Sequence, residues 1–318
     1  MQIKELQIKQ ICNKHRLNLK NYKLIGEKMG AFNLNILLDT KQGKFVLRIE
    51  NDKRFKNKKQ EYEILKKLDG KFGPKVYYFD DSNLIIDGDY LIEEFIEFGE
   101  HPPSEPSNEF ILAMAKFYEE LHRIKVNILD VKVYTSYQLK PGFDEDIEMI
   151  QQSIAYLDKK QREIIEDFIS KVSRIVNEHN EIFTSRTQMS LIHGDPTRRN
   201  IFYQNGKVKL IDWEMARYQI REWDLAFFVW SYDLDKEQKR FFLKESGYPL
   251  NEISNKQFNL IYLLHCFGIQ AWMTERLKLV EEGKIDTNLS NSSKEEILQG
   301  IIENNKIIET AISLFEIS

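Results

Sequence analysis

Three polar side chains in one short stretch, residues 191–214, have the types and the spacing needed for phosphate chemistry. Asp195 precedes Asn200 by five residues, and Asp212 follows an Asn-Gly pair at 205–206 that lies between two short strand-like runs. Asn-Gly in this setting favours a two-residue hairpin turn. The hairpin would make Asn200 and Asp212 diagonal neighbours, about 7 Å or less apart. Carboxylate and carboxamide oxygens suit magnesium and phosphates, so the stretch predicts a site for that chemistry.

Composition and charge narrow the class of protein. The chain has 318 residues, which is typical of about two domains, and it carries a formal net charge of -4. That charge argues against nucleic-acid binding and mildly favours cationic or neutral small partners. The two cysteines, Cys12 and Cys266, belong to no Cys/His cluster, so neither a structural zinc site nor a disulfide framework is predicted.

The apolar segments predict a protein without a membrane partner. The most apolar stretch, residues 258–272, is short for a membrane span and contains His265 and Cys266, which indicates a buried helix. The N-terminal residues lack the apolar core of a secretory signal. We therefore expect a soluble, cytoplasmic protein that is a monomer or a dimer.

Residues 1–97 have the pattern of a small β-rich lobe. An amphipathic helix is predicted over residues 2–15, and short apolar runs separated by turns predict strands after it. The basic run at residues 53–59 is predicted to be the solvated start of a second helix. The strands are predicted near residues 22–26, 32–39, 44–50, 75–80 and 90–96, and the second helix near 54–69.

Two charged residues of this lobe are predicted to face inward. Arg48 shares one face of its strand with Val46, because strand side chains alternate between two faces. On the second helix, Glu61 recurs with three apolar residues at the spacing of one helical face. The two inward charges predict an ion pair, since even a partly buried charge needs a partner.

The composition changes after residue 97. Three prolines within residues 102–106 stop any regular element, so a domain boundary is placed between residues 97 and 98. The remainder, residues 98–318, is predicted to be mainly helical, with the hairpin between helices. The last four helices are predicted near residues 222–231, 236–245, 255–280 and 294–316. A β-rich half followed by a larger helical half predicts an α+β fold with a ligand cleft between two lobes.

The hairpin and its flanks resemble a known family. Residues 193–200, HGDPTRRN, resemble the HGDxxxxN catalytic loop of the aminoglycoside phosphotransferase and choline kinase superfamily, and residues 211–214, IDWE, resemble its metal motif. Further resemblances are GAFN at 30–33, VLRI at 46–49, LH at 121–122 and WDLA at 223–226. The resemblance implies a two-lobed protein-kinase-like fold, with a nucleotide-binding lobe at residues 1–97 and a helical lobe carrying the catalytic loop and substrate site at residues 98–318.

The resemblance also implies roles for individual residues. Asp195 would accept or orient the proton of a substrate hydroxyl. Asn200 and Asp212 would hold Mg²⁺, and Arg48, positioned by Glu61, would contact the α- and β-phosphates of the nucleotide.

Other implied roles concern the nucleotide and the rest of the loop. Backbone amides between Gly30 and Asn33 would cover the phosphates. The segment 92–96 would be the hinge between lobes, with Glu94 and Ile96 offering backbone groups to the base. For Arg198 two interpretations stay open, namely stabilisation of the transferring phosphoryl group and pairing with neighbouring acids.

Supporting roles are expected for three further residues of the loop and its surroundings. His193 supports the loop, and Asp224 braces it through backbone amides. Arg199 is expected to be structural or peripheral.

The implied function is an ATP- or GTP-dependent, Mg²⁺-dependent phosphotransferase that acts on a hydroxyl of a small molecule, aminoglycoside-like or an amino alcohol such as choline. A sugar or other metabolite kinase is an alternative. A catalytically silent nucleotide-binding protein is another, against which the intact Asp195, Asn200 and Asp212 argue.

The acceptor is expected between the catalytic loop and the 255–280 helix. Aromatic and acidic side chains there would suit a cationic amine, although the same residues could be core and surface. The candidate lining residues are Trp213, Trp230, Trp272, Glu214, Glu222 and Glu275.

Overall fold

The structure, a computed structural model, describes residues 3–25, 33–50, 58–97, 101–102, 104–124, 139–183, 189–284 and 293–316. Its first part contains the helices α1 (Glu5–Lys14) and α2 (Lys58–Leu68) and the strands β1 (Leu19–Ile25), β2 (Asn33–Thr40), β3 (Gly43–Glu50), β4 (Val76–Asp80) and β5 (Tyr90–Glu94). The strands form one antiparallel sheet in the order β1-β2-β3-β5-β4. The predicted strands and both helices are present, within a few residues of their predicted bounds.

The two faces of this sheet belong to different hydrophobic cores. Because strand side chains alternate, Leu47 and Ile49 of β3 face α1 and pack with Ile11 in a small core. On the other face, Leu91 of β5 and Ile64 of α2 belong to a large core that continues into the helical lobe. The inner face of the sheet is therefore packed towards the rest of the molecule.

The helical lobe carries the remaining helices and two small sheets. Its helices are α3 (Asn108–Leu121), α4 (Leu139–Gln151), α5 (Lys159–Glu178), α6 (Glu222–Ser231), α7 (Lys236–Glu245), α8 (Glu252–Glu281) and α9 (Lys294–Glu316). Strand β6 (Met189–Ile192) pairs with β9 (Arg217–Ile220), and β7 (Ile201–Gln204) pairs with β8 (Lys207–Leu210). The last four helices match their predicted positions. Among the described helices, none is long and apolar enough to cross a membrane.

The two lobes meet closely beside the hairpin. The amide of Leu210 donates a hydrogen bond of 2.9 Å to the carbonyl of Phe72. A Cβ at Gly73 would lie 2.5 Å from Nε1 of Trp213, so the backbone approaches the indole too closely for any larger residue. The hairpin is thus anchored to the segment between α2 and β4.

The predicted domain boundary falls between β5 and α3. Strand β5 ends at Glu94, and α3 begins at Asn108, where the Ser107 hydroxyl accepts a hydrogen bond from the amide of Phe110. Residues 98–100 lie outside the described residues, and the division between residues 97 and 98 stays a prediction.

Candidate active site

The predicted hairpin is present with the predicted register. Phe202 pairs with Lys209, and Gln204 pairs with Lys207. The turn residues Asn205 and Gly206 have φ angles of 49° and 78°, the left-handed conformation that a two-residue type I′ turn requires. The pairing continues beyond the strands, where the amide of Ile211 donates to the carbonyl of Asn200 at 2.8 Å. The local sequence therefore brings the segment around Asn200 beside the segment that leads to Asp212.

Within the loop, Asn200 holds Asp195. The Nδ2 atom of Asn200 donates to the main-chain oxygen of Asp195 at 2.9 Å and to its Oδ2 at 3.0 Å. Burial and then the charge of Asp212 raise the pKa of the Asp195 carboxyl to about 7, against the opposing charge of Arg199. The carboxyl group can therefore take up or release a proton near neutral pH.

The base of the loop is braced by Asp224 of α6. Its carboxylate is fully buried and accepts hydrogen bonds from the amides of His193 at 2.8 Å and Gly194 at 2.9 Å. Gly194 has a φ of 87°, and a Cβ there would lie 2.5 Å from the carbonyl oxygen of Met215. Burial favours the neutral form of Asp224, yet the hydrogen bond from His122 and nearby positive charge keep its pKa below the usual value. This is the bracing contact that the sequence predicts for Asp224.

His193 supports the loop from inside. Its ring is fully buried, and Nε2 lies 3.0 Å from the carbonyl oxygen of Ile211. Burial lowers the pKa of His193, so the ring is neutral at physiological pH. This contact joins the catalytic loop to the end of the hairpin, in agreement with the predicted supporting role.

The predicted pair of Arg48 and Glu61 is present and extends to Asp212. The Nη1 atom of Arg48 donates to Glu61, and Nη2 donates to Oδ1 of Asp212. Glu61 also accepts a hydrogen bond of 3.2 Å from the amide of Trp213. Burial alone would raise the pKa of Asp212, but the charges of Arg48 and Lys58 lower it, so this carboxyl is ionised.

Asp212 has a backbone conformation that is rare for its residue type. Its φ is 67°, in the left-handed region, which costs about 1–3 kcal/mol for a residue other than glycine. The contacts of Asp212 with Arg48 and of the next amide with Glu61 hold this conformation in place. The carboxylate is thereby turned towards the sheet lobe.

Lys58 is part of the same network, and the prediction that residues 53–59 are solvated is wrong for it. The side chain is 2% exposed, with Nζ 2.7 Å from Oε2 of Glu61 and 3.8 Å from Oε2 of Glu214. Lys58 precedes Glu61 by three residues and so shares its helical face, which is the sequence signal that identifies it. Residues 51–57 lie outside the described residues, and Lys59 is exposed.

Glu214 extends the network to the strand that follows the predicted phosphate-covering turn. Its Oε2 atom accepts a hydrogen bond of 2.7 Å from Nδ2 of Asn33. Burial and then the charge of Asp212 raise the pKa of Glu214, because both disfavour the ionised carboxylate. The hydrogen bond from Asn33 acts in the opposite direction and favours the ionised form. Asn33 therefore lies at the site, whereas Gly30 lies outside the described residues.

Glu93 of β5 is a buried acid that the sequence analysis missed. It is 3% exposed, its Oε2 has no hydrogen-bond partner among the described residues, and that atom lies 3.9 Å from Nη1 of Arg48. Burial raises the pKa of Glu93 to about 8, against the charge of Arg48. Strand alternation could have identified it, because Glu93 pairs with Val46 on the inner face.

The predicted hinge residues follow Glu93. The carboxylate of Glu94 accepts hydrogen bonds from Nζ of Lys209 at 2.9 Å and from the amide of Lys75 at 3.0 Å, and its own amide donates to the Lys75 carbonyl at 2.7 Å. The amide of Glu94 is therefore already hydrogen-bonded. Ile96 is buried after the end of the strand, and both hinge assignments stay predictions.

Arg198 lies at the end of α6. Its Nε atom donates to the carbonyl oxygen of Ser231 at 3.1 Å, and its guanidinium lies 4.8 Å from the ring centroid of Tyr232. The last carbonyls of a helix lack intrahelical donors and attract a cation, which accounts for this contact. The predicted role of Arg198 at the transferring phosphoryl group stays a prediction.

The donor atoms of this site fit Mg²⁺. Asp212 supplies an ionised carboxylate and Asn200 supplies an amide oxygen, both hard ligands. Within the described ranges, no group of three His, Cys, Asp or Glu side chains forms a metal site from protein ligands alone. That is the pattern expected where substrate phosphates complete the coordination of Mg²⁺.

Comparisons with known proteins agree with this geometry. The sequence pattern of the phosphotransferase enzyme family matches residues 28–248. No curated protein matches the sequence. The fold is similar to that of wild-type aminoglycoside 2'-phosphotransferase-IIIa, solved as a GDP complex, with a TM-score of 0.71 and 17% identity over 96% of this chain and 99% of that one.

Two further solved structures have the same fold. Choline kinase LicA from Streptococcus pneumoniae has a TM-score of 0.67 and 15% identity over 97% of this chain and 99% of its own. A spectinomycin phosphotransferase in complex with ADP and spectinomycin has a TM-score of 0.67 and 12% identity over 98% of both chains. At these identities the similarity establishes the fold, which is the predicted two-lobed, kinase-like α+β architecture.

Proposed function

We infer that this chain, which belongs to the phosphotransferase enzyme family, is a small-molecule kinase that transfers the terminal phosphoryl group of ATP or GTP to a hydroxyl group. The observation that carries this proposal is the convergence of the catalytic loop and the sheet lobe on one cluster. Asn200 holds Asp195 within the loop, and Arg48 contacts Asp212 from β3. Proton acceptor and phosphate-binding cation are thus brought to the same cleft.

Asp195 is the proton acceptor in this proposal. Its carboxyl has a pKa of about 7, which suits a group that accepts a proton from a hydroxyl during transfer. Asn200 fixes the position of that carboxyl through two hydrogen bonds from one nitrogen. The acceptor hydroxyl would therefore approach the loop on the side of Asp195.

Arg48 and the proposed metal ligands act on the donor. Arg48 carries a guanidinium that can bind two phosphate oxygens, and Glu61 orients it. Asp212 and the amide oxygen of Asn200 would hold Mg²⁺, which offsets the charge of the nucleotide phosphates when bound. Residues 1–97, including Gly30 and Asn33, would form the nucleotide-binding lobe, with residues 98–318 as the substrate-binding lobe.

The nucleotide is proposed to bind through its base at residues 94–96. Recognition through backbone groups would accept adenine or guanine, so both ATP and GTP are candidate donors. Solved relatives support both, since one was determined with GDP and another with ADP. Competition between ATP and GTP for the purified protein measures the preference directly.

The experiment that tests this function measures nucleoside diphosphate release with ATP or GTP and Mg²⁺, against hydroxylated acceptors that include aminoglycosides and choline. Asp195→Asn is expected to lower turnover by about 10²–10⁴-fold while nucleotide binding is retained. Asp144→Asn changes an exposed residue of α4 and is the matched control. Unchanged turnover in Asp195→Asn would contradict the proposed role. Nucleotide binding without transfer to any acceptor would favour the catalytically silent alternative.

A further inference from the structure

Arg199 and Arg276 are two cations near the catalytic loop that lie outside the acid-rich network around Arg48. Arg199 is exposed on the loop, and Arg276 is half-buried near the C-terminal end of α8. Among the described residues, neither forms an ion pair with a carboxylate, and the Nε atom of Arg276 is buried without an acceptor. A buried donor that lacks an acceptor is costly. A bound ligand that carries a hydrogen-bond acceptor would satisfy this nitrogen atom of Arg276.

The fold places these arginines on the acceptor side of the loop. His265, Trp272 and Arg276 share one face of α8, at intervals of seven and four residues. The ring of His265 contacts Trp230 of α6 at 5.4 Å between centroids. Arg198, next to Arg199 in the loop, reaches the carbonyl at the end of the same α6 helix. The loop therefore adjoins the end of α6, and α6 contacts α8 at His265, about three helical turns before Arg276.

Arg199 interacts electrostatically with both Arg276 and Asp195. Burial and then the charge of Arg199 lower the pKa of Arg276, and the charge of Arg199 also acts on Asp195. Arg199 is thus within electrostatic reach of the proposed proton acceptor and of the second arginine. Arg199 and Arg276 are like charges that repel each other, and a bound anion would relieve that repulsion.

Arg276 is also oriented by an exposed aromatic ring. Its guanidinium carbon lies 5.2 Å from the ring centroid of Trp272, which is 49% exposed. Stacking leaves the edge of the planar guanidinium available for hydrogen bonds, and that edge matches a carboxylate or phosphate. The combination forms an exposed surface with an aromatic wall and a positive charge.

We propose that the small molecule phosphorylated by this enzyme carries an anionic group, a carboxylate or a phosphate ester, which Arg276 and Arg199 bind while its hydroxyl faces Asp195. This inference rests on the proposed phosphotransfer function and names its acceptor class. The acceptor oxygen forms the new bond to the γ-phosphorus, and its proton passes to the Asp195 carboxylate. The bond between the γ-phosphorus and the β–γ bridging oxygen breaks, and the nucleoside diphosphate leaves with that electron pair.

Two of the three acids expected to bind a cationic acceptor, Glu214 and Glu222, have other partners. Glu222 is 6% exposed and accepts a hydrogen bond of 3.0 Å from the Tyr248 hydroxyl. Glu214 accepts from Asn33 on the sheet lobe, and Trp213 is fully buried. A cationic amine beside Arg199 and Arg276 would meet their positive charge, which favours an anionic group at that position.

The test uses probes that share a carbon framework and differ in charge. D-gluconate and glucose 6-phosphate are anionic, D-glucose is neutral, and D-glucosamine is cationic. Binding to the full-length protein with Mg²⁺ and a non-hydrolysable ATP analogue is followed by calorimetry and thermal shift. We expect an anionic probe to bind best, and Arg276→Gln to weaken its binding by about 10–100-fold. Arg240→Gln, an exposed arginine of α7, is the control and is expected to leave binding unchanged.

Each other outcome overturns the inference. Preference for the neutral or cationic probe would do so, as would the absence of any Arg276-dependent anion binding. Weaker nucleotide binding in Arg276→Gln, with anion binding unchanged, would assign the arginine to the donor. Diphosphate release in the presence of each probe tests the proposed function separately, since transfer to glucosamine alone would leave the kinase assignment intact while excluding an anionic acceptor. The carboxylate and phosphate probes distinguish the two anionic groups.

Discussion

The cleft network and the acceptor-side surface both contain buried or half-buried cations, but only the first surrounds them with acids. The cleft network consists of Arg48, Lys58, Glu61, Glu93, Asp212 and Glu214. In it Arg48 contacts Glu61 and Asp212, and Lys58 contacts Glu61. The acceptor-side surface consists of Arg199, Trp272 and Arg276, where the described residues provide no carboxylate partner.

Charges that are paired with acids within the protein organise the fold, whereas charges without such a partner are available to bind a ligand. A buried ion pair holds two elements in a defined position, and removing one member leaves the other uncompensated. Arg48 joins β3 to α2 and to the segment after β8, and in this way it sets the geometry between the lobes. Within the described ranges, Arg276 forms no ion pair that joins two elements. Its replacement should therefore alter ligand binding more than stability.

The largest expected effect separates these two arginines by stability. Arg48→Met leaves Glu61 and Asp212 without their shared cation and is expected to lower the free energy of unfolding by about 3–5 kcal/mol. Arg276→Met removes a charge that lacks a partner, so its effect should stay within about 1 kcal/mol. Urea unfolding of both variants measures the difference. Equal destabilisation would show that the two cations are not distinguished by their partners.

Lys58 and Lys59 provide a smaller test within one helix. Lys58→Met is expected to destabilise by about 2–4 kcal/mol, less than Arg48→Met because Glu61 keeps its contact with Arg48. Lys59→Met changes the exposed neighbour and should stay within about 0.5 kcal/mol. The measurement is again urea unfolding. Matching values for the two lysines would argue that Lys58 is solvated in solution.

The ionisation of Glu93 shows whether burial or the attraction of Arg48 has the larger effect on the stability of the cleft network. Its pKa is raised from 4.5 to about 8, so the folded protein binds this proton more tightly than the unfolded chain, and stability falls as pH rises through that interval. Glu93→Gln removes the ionisation, and its stability relative to wild type should therefore increase with pH from about 4.5 to about 8. We expect a gain of about 1–3 kcal/mol at pH 8. A loss of stability at that pH would mean that the attraction of Arg48 outweighs burial.

Salt should produce the smallest effect and should act on one region only. Raising the ionic strength from about 0.1 M to about 1 M shortens the screening length from ~10 Å to ~3 Å. The Kd of an anionic probe at Arg199 and Arg276 should rise severalfold. The difference in unfolding free energy between wild type and Arg48→Met should change by less than about 0.5 kcal/mol, because that pair is buried. If salt changed the unfolding free-energy difference as strongly as it changed the Kd of the probe, the two regions would not differ in the way proposed.

The parts of the site that could be predicted depend on local spacing. Asn205 and Gly206 can both adopt positive φ angles, so the hairpin and its register follow from two adjacent residues. Arg48 and Glu61 were placed inward by strand and helix periodicity, and the structure contains the pair they predict. In both cases the information lies within one turn or one element.

Lys58 and Glu93 show where this reasoning failed. Periodicity treats a lysine as solvent-facing, yet Lys58 is buried because Glu61 and Glu214 both lie beside it. Among the described residues, the Oε2 atom of Glu93 has no hydrogen-bond partner, because Arg48 is already engaged by two other carboxylates. Spacing within one helix or strand places both side chains inward, but the number of charges that surround each one depends on several elements meeting.

The amino-acid sequence by itself determined the chemistry that the chain can perform: the spacing of Asp195, Asn200 and Asp212 follows from a loop and a hairpin that fold locally. Tertiary structure decided the charge partners that spacing within one element does not predict, such as Asp212 for Arg48. Arg48 and Asp212 lie 164 positions apart in the chain, and their contact forms only when β3 packs against the segment after β8. The physical reason is that turn geometry is set by neighbouring residues, whereas desolvation and charge pairing depend on everything that surrounds a group in the folded protein.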